Sequence, residues 1–137
     1  MVCMTETNKA LVRRLIDEAQ CQGNLDVVDE LLSNDFIDHT PFPGVPATRD
    51  GVKMLFGYLR SAFPDLQVRV QEQIAEGDKV ATRKVFAGTH RGEFLGAPPT
   101  GRPVAFEVID ILTFHDGKIA EHRVILDQAS LQRQLVG

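Results

Sequence analysis

Tryptophan is absent from the sequence, tyrosine occurs once, and 15 Lys and Arg residues stand against 19 Asp and Glu residues, which gives a formal net charge of -4. Binding to a phosphate backbone needs a basic patch, and stacking against bases needs aromatic side chains. The composition therefore argues against a nucleic-acid partner. No run of about eighteen apolar residues occurs, so we expect no transmembrane helix and no membrane partner.

The sequence also lacks the usual signatures of metal and cofactor sites. Its two cysteines, Cys3 and Cys21, form no CxxC or similar spacing, and we interpret them as reduced thiols of a cytoplasmic protein. The polar segment 1–10 argues against a secretory signal peptide. None of the four histidines belongs to an HxH or HExxH motif, and neither GxGxxG nor a Walker motif is present. We therefore predict neither a metal nor a cofactor.

Two hydrophobic periodicities divide the sequence into halves. Helical spacing of apolar residues occurs in 5–22, 25–32 and 49–63, whereas strand-like patterns occupy 66–75, 79–90, 102–114 and 118–126, and 36–40 is a short extended piece. Helices followed by long antiparallel strands are typical of the α+β class. We predict one domain, 1–137, whose curved antiparallel sheet packs on N-terminal helices and encloses an apolar pocket. The first long strand is expected to point Leu66, Val68, Val70 and Ile74 to one face.

Asp110 is the most informative residue of the sequence. Strand alternation places it among apolar residues on one face of the third long strand, which carries Val104, Phe106, Val108, Asp110, Leu112 and Phe114. A carboxylate in such surroundings is costly unless it is paired or neutral. Burial raises its pKa, which would suit a general acid or base near neutral pH. The alternative is a structural buried acid that is satisfied by a backbone N–H or a histidine.

Asp38 and His39 are the next candidates, because an acid and a histidine stand where the short extended piece meets a proline-rich loop. A histidine there can exchange protons near neutral pH. Both side chains would then line the mouth of the pocket. The alternative is an exposed turn, in which Asp is common.

His122 is a further candidate, because it shares its strand face with Val124 and Leu126 and is therefore predicted to point inward. The alternative is an outward histidine that pairs with Glu121 or Asp116. The apolar positions that we expect to bind the substrate are Phe56, Phe106, Val108, Leu112 and Val124.

The second face of the third long strand is unusually apolar for a surface that contacts only water. It carries Ala105, Glu107, Ile109, Ile111, Thr113 and His115. An interface between copies of the chain would cover such a face. We therefore predict a homodimer or a higher homo-oligomer.

Five stretches of the sequence resemble the SnoaL-like polyketide cyclases, which share the nuclear transport factor 2 fold. They are DFIDH at 35–39, FPDL at 63–66, GTHRGEFLG at 88–96, PPTG at 98–101 and DGKIAEH at 116–122. The resemblance covers nearly the whole chain. It implies a cone in which helices close a curved antiparallel sheet, commonly in an oligomer. It also implies ring closure of a polyketide by intramolecular aldol condensation, without a cofactor and with a carboxylate as acid and base.

The resemblance also maps family site residues onto this sequence. The essential Asp of the family, two residues after the histidine of the last strand, corresponds to Val124. The family has a histidine on the preceding strand, and Asp110 occupies that position here. Val108 stands in place of a family Gln two residues earlier, and Asp38 stands in place of an Asn in the early strand. The mapping implies that the carboxylate of the site has moved to Asp110.

Two classes of function follow from these residues. The first is a cofactor-independent enzyme acting on a small hydrophobic carbonyl or ester compound, with Asp110 as acid and base and with His39, Asp38 or His122 orienting groups or relaying protons. The second is a non-catalytic protein that binds a small hydrophobic molecule in the same pocket. Hydrolase or isomerase chemistry is a further alternative, because one fold hosts many reactions.

Overall fold

The computed structural model describes residues 4–136. The elements are α1 (Met4–Arg14), a π-helical segment that continues it (Leu15–Cys21), α2 (Asp26–Leu31), β1 (Leu32–Asp38), α3 (Arg49–Ala62), β2 (Gln67–Glu76), β3 (Lys79–Thr89), β4 (Pro103–His115), β5 (Lys118–Leu126) and α4 (Gln128–Val136). The predicted helices and long strands are confirmed, with ends that differ by no more than about one residue. Cys3 lies outside the described residues, and Cys21 is a free thiol.

The five strands form one curved, open sheet in the order β1-β5-β4-β3-β2. β2 pairs with β3, β3 with β4 and β4 with β5, and all three pairings are antiparallel, as predicted. The predicted short extended piece overlaps β1, which is a strand of the sheet and pairs parallel with β5. This pairing places Asp38 opposite His122. The α+β architecture is therefore confirmed, and a parallel edge strand is added to it.

The helices cover one face of the sheet. Buried side chains of α1, the π-helical segment and α3 join those of the sheet in one hydrophobic core. The predicted alternation along β4 is confirmed, since Val104, Phe106, Val108, Asp110 and Leu112 are buried and the residues between them are exposed. No helix among residues 4–136 has the length and apolar character needed to cross a membrane.

The predicted placement of Ile74 on the same face as Val68 is wrong. The pairing between β2 and β3 shifts between Val70 and Glu72, as it does at a β-bulge. An extra residue in one strand reverses which side chains face inward beyond it. Val68 is accordingly buried, whereas Ile74 is 66% exposed on the outer face.

The connection between β3 and β4 folds back onto the end of α3. The backbone N–H groups of Arg91 and Gly92 both donate to the carbonyl oxygen of Ala62, at 2.9 and 3.1 Å. A side chain at Gly92 would meet the Ser61 carbonyl oxygen at 2.4 Å, so only glycine allows this approach. The connection then buries Phe94 to 2% exposure, with its ring against those of Tyr58 and Phe63.

Candidate active site

A cavity of about 460 Å³ lies between the inner face of the sheet and the helices. Apolar side chains dominate its lining, which is the usual character of a pocket for a small organic ligand. All five positions predicted to bind a substrate line it: Phe56, Phe106, Val108, Leu112 and Val124. The fold therefore brings side chains of α3, β4 and β5 around one space.

The charged side chains of this lining come from four adjacent strands. They are Asp38 of β1, His122 of β5, Asp110 of β4 and Lys84 of β3, and we call them the ion-pair network. The register places Asp38 opposite His122 and Asp110 opposite Val124. No group of three or more His, Cys, Asp or Glu side chains in the described part of the chain is arranged to hold a metal ion.

The members of the ion-pair network alternate in charge. The Lys84 ammonium donates to Asp110 Oδ2 at 2.8 Å, and His122 Nε2 lies 3.7 Å from the same oxygen. On its other side, His122 Nδ1 lies 3.0 Å from Asp38 Oδ1. The backbone N–H of Thr40 also donates to Asp38 Oδ1, at 3.0 Å. The arrangement fixes the histidine ring between two carboxylates.

The pKa of Asp110 is lowered, so the prediction of a raised value is wrong. Burial, which leaves the side chain 4% exposed, favours the neutral acid. The charges of Lys84 and His122 outweigh burial and stabilise the carboxylate. Asp110 Oδ1 is buried and has no hydrogen-bond partner among the described residues. One oxygen of this carboxylate is therefore held by a cation and the other is unpaired.

The predicted inward orientation of His122 is confirmed. Burial alone would lower its pKa, but the two carboxylates, Asp110 first and then Asp38, raise it above the ordinary value of 6.5. Burial raises and His122 lowers the pKa of Asp38, and the net direction is down. With His122 as an imidazolium, the two cations and two carboxylates of the network balance each other.

His39 does not line the cavity, although the sequence predicted that it would. Neighbouring residues of a strand point to opposite faces, so the inward Asp38 places His39 outward. His39 Nε2 lies 2.7 Å from Glu121 Oε1 on that side. The imidazole of His39 therefore points away from the other candidates, although its backbone N–H donates to the carbonyl oxygen of His122 at 2.9 Å.

Lys84 is the member of the network that the sequence reasoning missed. It is 4% exposed, and its ammonium lies 5.4 Å from the centre of the Phe86 ring, within reach of a cation–π contact. The available signal was the alternation of Val80, Thr82, Lys84 and Phe86 along one face of β3. A lysine on that face predicts a buried partner, because a lone buried charge is too costly.

Two aromatic rings of the cavity lining, Phe42 and Phe94, pack against each other and against Tyr58. Phe42, Tyr58 and Phe94 lie with their ring centres 5.5 to 5.9 Å apart. The Tyr58 hydroxyl donates to Glu93 Oε2 at 3.0 Å and accepts the backbone N–H of Leu95 at 3.2 Å. Tyr58 thus ties the connection between β3 and β4 to α3 beside the cavity.

Comparison with known protein families assigns this fold and cavity to one family. The SnoaL-like polyketide cyclase family model matches residues 10–135. The chain belongs to the SnoaL-like polyketide cyclase family, and the resemblance seen in the sequence is confirmed.

Three of the similar proteins come from Streptomyces species. Nogalonic acid methyl ester cyclase of Streptomyces nogalater is 30% identical over 118 residues, which span 82% of this chain and 86% of that protein. Aklanonic acid methyl ester cyclase AcmA of Streptomyces galilaeus is 32% identical over 132 residues, or 92% and 88% of the two chains. The structure of wild-type IdmH from Streptomyces antibioticus superimposes with a TM-score of 0.80 at 35% identity and covers 94% of this chain and 98% of its own.

Proposed function

We propose that this protein is a cofactor-independent cyclase that closes a ring in a small hydrophobic polyketide ester by an intramolecular aldol reaction. The observation that carries the proposal is the Asp110–His122 pair at the wall of an apolar cavity. The similar proteins named as methyl ester cyclases support the substrate class. Carbon–carbon bond formation of this kind needs a base near one carbon and an acid near a carbonyl oxygen, and the pair supplies both.

In the proposed mechanism, Asp110 Oδ1 removes a proton from a carbon next to a carbonyl group. The resulting enolate carbon attacks a second carbonyl carbon of the same molecule. The His122 imidazolium gives its Nε2 proton to the oxygen that becomes the new hydroxyl, and the proton on Asp110 then passes to His122. One C–H bond and the π bond of the attacked carbonyl group break, while one C–C and one O–H bond form, so the product is an isomer of the substrate.

Two neighbours tune these roles. Asp38 accepts a hydrogen bond from Nδ1 of His122. The ring is thereby oriented with its Nε2 atom facing Asp110 and the cavity. Lys84 keeps Asp110 ionised but also makes it a weaker base. Removal of a carbon-bound proton therefore depends on the nearby His122 cation, which stabilises the charge that develops on the enolate oxygen.

The test uses aklanonic acid methyl ester and nogalonic acid methyl ester, after which the similar proteins are named. We expect the protein to convert at least one ester into a product of unchanged mass, resolved by chromatography. Asp110→Asn and His122→Gln should each lower kcat by about 10²- to 10⁴-fold. His115→Gln is the matched control, because that side chain is 80% exposed on the far end of β4. Full activity of Asp110→Asn on a converted ester would refute the assignment.

A non-catalytic ligand-binding protein is the second candidate, and two observations favour it. The ion pair with Lys84 reduces the basicity of Asp110, and Val124 stands where the resemblance implies the essential Asp. Native mass spectrometry of protein purified from its host distinguishes the two candidates. A bound small molecule that is recovered unchanged after long incubation supports binding alone, whereas its conversion supports the enzyme.

We further propose that the protein is a cytoplasmic homodimer or higher homo-oligomer. The support is the outer face of the sheet, on which Ile109, Ile111 and Ile125 are 50%, 40% and 77% exposed. Ile109 and Ile125 lie side by side on β4 and β5. Exposed isoleucines grouped in this way are typical of an interface. A second copy can cover it symmetrically, since the same patch then serves both partners.

A further inference from the structure

Gln20 is a buried polar side chain that the proposed mechanism does not use. It lies near the end of the π-helical segment, lines the cavity and is only 7% exposed. Its amide oxygen, Oε1, is buried and has no hydrogen-bond partner among the described residues. Buried polar atoms almost always have a partner, and short π-helical segments occur frequently at functional sites. Both observations indicate that something else in the cavity meets this amide.

Gln20 is the one buried polar residue that the described helices contribute to the cavity lining, since Gln128 of α4 also lines it but is exposed. The other residues that α1, the π-helical segment and α3 contribute to the lining are apolar: Val12, Leu15, Ile16, Val52, Leu55, Phe56 and Leu59. An apolar residue would fill the same place without leaving a buried oxygen unpaired. The polar groups of the sheet side, in contrast, are largely paired with each other in the ion-pair network.

The backbone around Gln20 is fixed. The Arg60 guanidinium donates from Nη1 to the carbonyl oxygens of Gln20 and Cys21, at 3.4 and 2.6 Å. The Cys21 thiol lies 3.8 Å from the Val68 carbonyl oxygen of β2. These contacts tie the end of the π-helical segment to α3 and to the sheet. A group held in this way is preorganised to bind a ligand in one orientation.

We propose that Gln20 binds a hydroxyl group of the substrate, at the end of the molecule away from the reacting carbonyl groups. This inference rests on the proposed function, because it takes the cavity as the substrate site. A hydroxyl donates to Oε1 and also accepts from the amide N–H, so it satisfies the side chain in either orientation. The second unpaired acceptor of the cavity, Asp110 Oδ1, belongs to the sheet side. The expected ligand is therefore a hydroxylated, otherwise largely apolar compound that spans from the helices to the sheet.

Binding of a matched pair of small probes tests the inference. The probes are 2,6-dihydroxynaphthalene and 6-methoxy-2-naphthol, which differ in one hydroxyl donor, and isothermal titration calorimetry measures their Kd values. We expect the unsubstituted protein to prefer the diol by about 10-fold, and Gln20→Met to remove that preference while it leaves the Kd of the methoxy compound unchanged. Gln22→Met is the matched control, because Gln22 is exposed outside the cavity.

Two results would overturn the inference: a preference for the diol that survives in Gln20→Met, or binding of neither probe by the unsubstituted protein at 1 mM. Thermal unfolding checks that the variants fold, and Gln20→Asn replaces Gln20→Met if the latter does not, since it withdraws the amide from its position. The probes cannot cyclise, so the assay is independent of turnover. A diol preference that survives in Gln20→Met, while the unsubstituted protein cyclises an ester, refutes the role of Gln20 alone. A diol preference that Gln20→Met removes, in a protein that cyclises neither ester, refutes the proposed reaction alone.

Discussion

Lys84 and Asp110 are the pair of residues on which the charge state of the site depends. Both side chains are almost fully buried, at 5% and 4% exposure, and their charged atoms lie 2.8 Å apart. Removing one partner of such a pair leaves the other as an uncompensated buried charge, which costs about 3–5 kcal/mol. The pair therefore constrains stability as well as chemistry.

The first prediction concerns Lys84→Met. We expect it to lower the free energy of unfolding by about 3–5 kcal/mol, because Asp110 loses its closest cation, and urea denaturation at pH 7 measures the loss. Lys79→Met is the matched control, since that lysine is exposed on the same strand. Its loss should stay below about 1 kcal/mol. Equal losses of unfolding free energy in the two variants would show that the buried ion pair contributes no more to stability than an exposed lysine does.

Residues differ in how well the sequence alone predicts them. Alternation along β4 places Asp110 inward without knowledge of any other strand. The effect of Lys84 on the pKa of Asp110 could not be predicted, because it depends on how β3 pairs with β4. These two strands are joined by an irregular 13-residue connection, 90–102, from which the register of the pairing cannot be read. His39 was misplaced because the outward partner, Glu121, becomes visible only once β1 pairs with β5.

At the scale of elements, the periodic ones were predicted and the irregular ones were not. Apolar residues at helical or alternating spacing fixed the helices and the long strands, since burial of one face determines those periods. The bulge in β2 and the parallel pairing of β1 carry no comparable pattern, because each depends on contacts with a distant strand. The π-helical segment was predicted only as part of an ordinary α-helix, because its apolar residues fit the α-helical period.

The connection between β3 and β4 is the irregular element that matters most for the cavity. The second prediction is that Gly92→Ala destabilises the protein by about 1–3 kcal/mol, because the new methyl group overlaps the Ser61 carbonyl oxygen. Gly57→Ala is the matched control. Gly57 lies within α3 with nothing within 4 Å of the added carbon, so that change should stabilise by about 0.5–1 kcal/mol. Thermal unfolding of both variants measures the contrast, and a neutral Gly92→Ala would contradict the close approach.

At the scale of the whole molecule, we assign different functions to the two faces of the sheet. The inner face carries the cavity and the ion-pair network, and the outer face exposes isoleucines beside charged groups such as Arg83 and Glu107, which pair at 2.9 Å. The sequence predicted both faces of β4 from alternation alone. It also predicted the family, since five short stretches distributed along the chain resemble it.

The third prediction concerns the outer face. The double substitution Ile109→Lys and Ile125→Lys should convert the proposed dimer into monomers, because it places like charges in the apolar centre of the interface. Light scattering coupled to size-exclusion chromatography should change from twice the chain mass of 15.2 kDa to the chain mass itself. Met54→Lys on α3 is the control, because Met54 is 54% exposed away from the sheet. A protein that is already monomeric without substitution would refute the proposed interface.

Both the proposed mechanism and the charge balance of the site require that His122 carries its proton between two ionised carboxylates. An NMR titration of the histidine ring nitrogens measures this directly, with His122→Gln to identify the signal. We predict a midpoint above the ordinary 6.5, so that the stabilisation from the charged ring is present at pH 6.5 and is lost as the pH rises through that midpoint. Asp110→Asn should lower the midpoint. A midpoint at or below 6.5 in the unsubstituted protein would contradict the account.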